Sequence, residues 1–135
     1  MIIIGIVITV IQYIFKLNLQ NDTIKFNIEI RKSNISLFIL CIIPLFLSAF
    51  TEELCFRSYF YNNINKIIQN KWVCIIITNL LFSFGHIYQG IYGCIYSFVL
   101  GMLMSIEYKN RNNIYTIIIF HMVMNVCSCA IGLLL

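Results

Sequence analysis

Three short stretches of this sequence hold residue types that do acid–base chemistry: "EELCFR" at 52–57, "FSFGH" at 82–86 and "HMVMN" at 121–125. They supply two adjacent glutamates with an arginine, a histidine, and a second histidine followed by an asparagine. Each lies in or at the end of a long apolar run. An ionisable side chain at membrane depth is costly to desolvate and marks a functional site by default.

Spacing assigns jobs to these residues. Helical neighbours point about 100° apart, so Glu52 and Glu53 are expected to have different surroundings. Arg57 lies one turn after Glu53, shares its face and can pair with it. Glu52 is then left without a local partner, and a lone desolvated carboxylate suits general-base work. The ordinary alternative is that all three cap a span at the water interface. His86 gains weight from its depth. The connection between two apolar runs centres near Gln69, with Glu52 17 residues before it and His86 17 after it. Two antiparallel helices joined there would bring both to one level, where a Glu–His pair can hold a water and take its proton. Otherwise His86 is an interfacial hydrogen-bonding residue. Phe82, one turn before His86, is expected to pack around it.

His121 and Asn125 are also one turn apart, on one face. Both side chains donate hydrogen bonds, and two donors on one face can stabilise a developing oxyanion. The alternative is a helix–helix contact, common for His and Asn in membranes.

The elements that must position these residues are all apolar helices. The chain has 135 residues, 61% hydrophobic and 10% charged, with mean hydropathy +0.91. Soluble domains run at about 45–50% apolar and about 25% charged. A spanning helix needs roughly 20 apolar residues. Five candidates follow: 2–17, 35–61 with Pro44 as an expected kink, 72–88, 91–106 and 114–135. Polar connections are expected at 18–34, 62–71 and 107–113, and a tight turn at 88–93. No period-two alternation supports a β-barrel. The expected fold is an all-α, polytopic transmembrane helix bundle. Residues 1–34 would form an N-terminal helix with its connection, and 35–135 the catalytic core.

The net charge of +4 comes from basic residues scattered over the connections. They form no stripe and are not interleaved with aromatics, so nucleic acid is not an expected partner. Four basic residues on each side leave the orientation open. The N-terminus lacks a basic n-region and reads as an uncleaved helix. The six cysteines show no C-x-x-C and read as small buried hydrophobes.

The three stretches, in this order on separate apolar spans, fit E-E-x-x-x-R, F-x-x-x-H and H-x-x-x-N. They resemble the CPBP family of intramembrane proteases, which includes the CAAX prenyl endopeptidases and the bacterial Abi or bacteriocin-processing proteins. Ser58 stands where many members carry glycine. The resemblance implies an intramembrane glutamic endopeptidase in which Glu52 and His86 activate the attacking water. His121 and Asn125 would form the oxyanion hole, and Glu53 and Arg57 would support the site. It also implies a multi-pass protein of the cell membrane, acting on a membrane-associated peptide or lipidated protein. Zinc is the alternative to a metal-free mechanism, since Glu52, His86 and His121 could supply three ligands. The absence of H-E-x-x-H and the donor character of Asn125 favour the metal-free form, with no cofactor. The competing function is a non-catalytic membrane immunity or binding protein that keeps these residues as helix–helix contacts.

Overall fold

The computed structural model describes Val7 and residues 35–134. The expected span at 2–17 and connection at 18–34, and with them the N-terminal segment 1–34, lie outside the described residues. Among the described residues there is no strand. The chain forms α1 (Ile35–Glu53), a π-helical segment (Leu54–Phe60), α2 (Tyr61–Ile68), α3 (Lys71–Phe84), a 3-10 turn (Ile87–Gln89), α4 (Gly90–Arg111) and α5 (Ile114–Leu134).

Two asparagines set the reversals at one end of the bundle. Asn70 accepts hydrogen bonds from the backbone N–H groups of Trp72 and Val73 at 3.1 and 3.3 Å, which caps α3. Asn113 does the same for Tyr115 and Thr116 at 3.0 and 3.3 Å, capping α5. Each cap follows a residue in the left-handed region, Gln69 at φ 56° and Asn112 at φ 51°. At the other end α3 stops at Phe84, and Gly90, at φ 80°, opens α4. That angle suits a residue without Cβ.

Several expected boundaries are corrected. The polar stretch 62–68 is wound into α2, and 107–111 continues α4; the reversals are confined to Gln69–Asn70 and Asn112–Asn113. The third expected span ends at Phe84 rather than at 88. Helix α1 runs through Pro44 without a break. The departure from α geometry comes later, where the Tyr61 N–H bonds the Phe56 carbonyl five residues back.

Helix α3 packs along α4, α1 packs on α5, and α2 closes against the start of α3. The core holds Phe82, Leu100, Met104, Ile117, Phe120 and Met124. Polar residues are buried beside it: Glu53, Arg57, Thr78, Asn79, Ser83, Ser97, Ser105 and His121. Large apolar side chains face outward on every long helix, among them Ile43 and Leu47 on α1, Leu80 and Phe84 on α3, Ile95 on α4 and Ile119 on α5. This inverts the soluble pattern, and a bilayer is the solvent that tolerates it. The stretch Ile87–Arg111 is long and apolar enough to cross one; α3 and Ile114–Ala130 are apolar but shorter. Of the cysteines, Cys74 is buried, while Cys94, Cys127 and Cys129 are half-buried and Cys55 exposed, which corrects the expectation that all are core residues.

Candidate active site

The two adjacent glutamates sit at the end of α1 and separate as helical geometry requires. Glu53 is fully buried, whereas the Glu52 side chain is 26% exposed. Glu53 Oε2 lies 3.1 Å from Arg57 Nε, the expected one-turn ion pair. The Nε–H is not aligned on Oε2, so this is an ion pair rather than a formed hydrogen bond. On the other side Glu53 Oε1 accepts from His121 Nδ1 at 2.7 Å.

Arg57 is anchored from α3 and α4. Its Nη2 donates to Asn79 Oδ1 at 3.4 Å and to the Gly101 carbonyl at 3.3 Å. Its guanidinium lies 4.4 Å from the centre of the Phe82 ring, the stacking that Arg makes on aromatic faces. Asn79 is held in turn by the Ile75 carbonyl at 2.8 Å and Ser105 Oγ at 2.9 Å, to both of which it donates. Gly101 is required here: a Cβ would overlap Asn79 Oδ1 and come within 3.1 Å of both Arg57 Nη2 and Phe82 Cδ1.

Above this packed layer lies a looser one. Ser48, one turn before Glu52, donates to Glu52 Oε1 at 2.5 Å. Glu52 Oε2 is buried and makes no hydrogen bond to any described residue. It lies 3.9 Å from His86 Nε2 and 3.8 Å from His121 Nε2. Both rings have their other nitrogen engaged. His86 Nδ1 donates to the Phe82 carbonyl at 2.9 Å, and His121 Nδ1 to Glu53. Held this way, both rings turn Nε2 toward Glu52. Both Nε2 atoms thus stand too far from Glu52 Oε2 for direct hydrogen bonds.

Phe82 joins the layers. Its ring centre lies 4.7 Å from that of His86, 6.0 Å from His121 and 5.2 Å from Phe56. The expected packing role holds, and it extends to both histidines and to Arg57.

One expectation is corrected. Glu52 and Glu53 do share a neighbour, because the His121 ring reaches one glutamate with each nitrogen. Asn125 is half-buried and forms no hydrogen bond to a described residue. The structure also recruits Ser48, Asn79, Ser105 and Gly101, to which the sequence reading gave no role. For Ser48 the signal was its one-turn spacing from Glu52; for Gly101 there was none, since its need arises across three helices.

A family model described as type II CAAX prenyl endopeptidase, Rce1-like, matches residues 34–127. The chain belongs to that family. The match takes in every residue of both layers, from Ser48 to His121, and Asn125 as well. The family is one of endopeptidases integral to membranes, which act on membrane-associated prenylated proteins. No curated protein and no solved structure matches the chain.

Whether these residues suit zinc is a question of spacing. Tetrahedral zinc with bonds near 2.1 Å sets its ligand atoms about 3.4 Å apart. The separations from Glu52 Oε2 are 3.8 and 3.9 Å. Among the described residues no three His, Cys, Asp or Glu side chains stand at metal-holding distance. As placed, Glu52, His86 and His121 do not form a tetrahedral zinc set.

Proposed function

We propose that the protein is an intramembrane endopeptidase that hydrolyses a peptide bond of a membrane-associated substrate with a water activated by Glu52 and His86. The CAAX-type tail of a prenylated protein is the leading substrate class, on the strength of the family description. One observation carries the reading: Glu52 Oε2, buried and without a hydrogen bond, stands 3.9 Å from His86 Nε2 and 3.8 Å from His121 Nε2. A water with hydrogen bonds of about 2.8 Å spans such gaps. Its oxygen attacks the scissile carbonyl carbon while one proton passes to Glu52 or His86. The same proton then goes to the leaving amine as the C–N bond breaks.

Glu53 gives His121 its part. The Glu53 carboxylate on Nδ1 holds the ring with Nε2 toward Glu52, the position from which an Nε2–H would donate to the oxyanion. Asn125, one turn further along α5, would supply the second donor. Apolar outer faces let an anchored substrate approach from lipid.

The test is cleavage of a prenylated CAAX peptide by the full chain in liposomes. Glu52→Ala and His86→Ala should each abolish cleavage while helical content and melting are kept. Full activity in either variant overturns the mechanism. A metal chelator should leave the rate within twofold; loss reversed by added zinc would replace the glutamate mechanism with a metal one.

A further inference from the structure

At the far end of α3 from the site, α2, the start of α3 and the end of α4 border a half-open cavity of about 290 Å³. Lys71 and Lys109, Tyr61 and Tyr108, and Asn62 and Asn65 line it, and no carboxylate does. We propose that this cavity binds the phosphate of an anionic phospholipid headgroup.

The charge distribution argues for an anion. Among the described residues, every lysine and arginine except the buried Arg57 lies at this end: Lys66, Lys71, Lys109 and Arg111. The single acid there, Glu107, is held by Arg111 at 2.5 Å and does not neutralise the lysines of the cavity. The turn at the opposite end, 85–90, carries no charged residue. Lys71 lines the cavity and makes no hydrogen bond or ion pair with a described residue. Lysine binds phosphate as a point charge, and phenols and carboxamides complete such a site with hydrogen bonds.

The aromatic surroundings argue that the anion is a lipid. Lys109 Nζ sits 3.8 Å from the centre of the Trp72 ring, and Trp72 is 51% exposed. The Tyr61 and Tyr108 rings meet edge to face at 6.3 Å. Trp and Tyr gather at the headgroup level of a bilayer. Apolar Ile67 and Val73 flank the cavity with exposed side chains, where acyl chains would lie. Along α3 the cavity stands roughly 20 Å from the site, so the proposal does not depend on the catalytic reading.

Native mass spectrometry of the full chain in detergent tests it, with phosphatidylglycerol and phosphatidylcholine of the same acyl chains as probes. One phosphatidylglycerol should be retained in preference to phosphatidylcholine. Lys71→Gln and Lys109→Gln should each weaken that retention about fivefold, from the contribution of one basic residue near an anionic surface. Lys66→Gln removes the same charge at the same end but outside the cavity, where Lys66 donates to Asn63 at 3.2 Å. It should change retention less than twofold. Equal retention of the two lipids, or an equal loss in Lys66→Gln, overturns the proposal. Full displacement of the lipid by millimolar inorganic phosphate also overturns it, in favour of a free-anion site.

Discussion

Two layers of polar residues lie against each other in this bundle, and they are built differently. In the lower one Glu53, Arg57, Asn79 and Ser105 are buried and tied to one another and to the Gly101 backbone. In the upper one Glu52, His86 and His121 face one another across 3.8–3.9 Å without touching. The lower layer resembles the buried ion pairs that fix how helices pack. The upper one resembles a site that leaves room for a reactant. His121 belongs to both, and through it the tight layer orients the loose one.

The comparison predicts that the two layers fail in different ways. The largest effect is expected from Glu52→Gln, which keeps shape and removes the base. Cleavage should fall by at least about a thousandfold, while the melting temperature stays within a few degrees. Arg57→Met should do the reverse. It leaves Glu53 buried with the His121 ring as its remaining side-chain partner, and loss of one member of a buried pair costs about 3–5 kcal/mol. The measurement is chemical or thermal unfolding in detergent. If Arg57→Met unfolds like the wild type and only slows cleavage, the lower layer is part of the chemistry and the division is wrong. Gly101→Ala should cost about 1–3 kcal/mol by forcing Asn79 and Arg57 aside, read by the same unfolding. Ser48→Ala has the smallest expected effect, a fall of about fivefold in kcat from the loss of one neutral hydrogen bond to Glu52. Unchanged stability in that variant would place Ser48 wholly in the upper layer.

The upper layer was largely legible in the sequence. The symmetric placement of Glu52 and His86 about Gln69 needed only helical rise and one reversal, and the structure turns at that residue. The Glu53–Arg57 pair needed only one-turn spacing. The helices expected from 72 and 114 begin at Lys71 and Ile114. Polarity misled at the helix ends, because residues such as Asn62 and Lys109 are solvated there and can extend a helix beyond the apolar run. The rest of the lower layer was hidden for another reason. Asn79, Gly101 and Ser105 matter through contacts that cross from helix to helix, and a single glycine in an apolar helix carries no sign of what presses against it. The dual contact of His121 was missed because the glutamates were treated as points on a wheel, whereas an imidazole reaches two directions at once.

The π-helical segment Leu54–Phe60 has a consequence for chain length. Its turns take one residue more than α-helical turns, and such segments often accompany functional sites. Deleting a single residue between Ser58 and Phe60 would leave all three motifs and the overall hydropathy intact. It would also let the segment relax to an α-helix, and because the wide turns hold the extra residue, everything after it would keep nearly the same orientation about the axis. The hairpin that carries His86 would still face Glu52. The same deletion in the regular turns of α3 would instead swing His86 by about 100°. A homologous chain one residue shorter at Tyr59 would therefore keep its geometry, and one shorter within α3 would read as competent from its motifs and be broken.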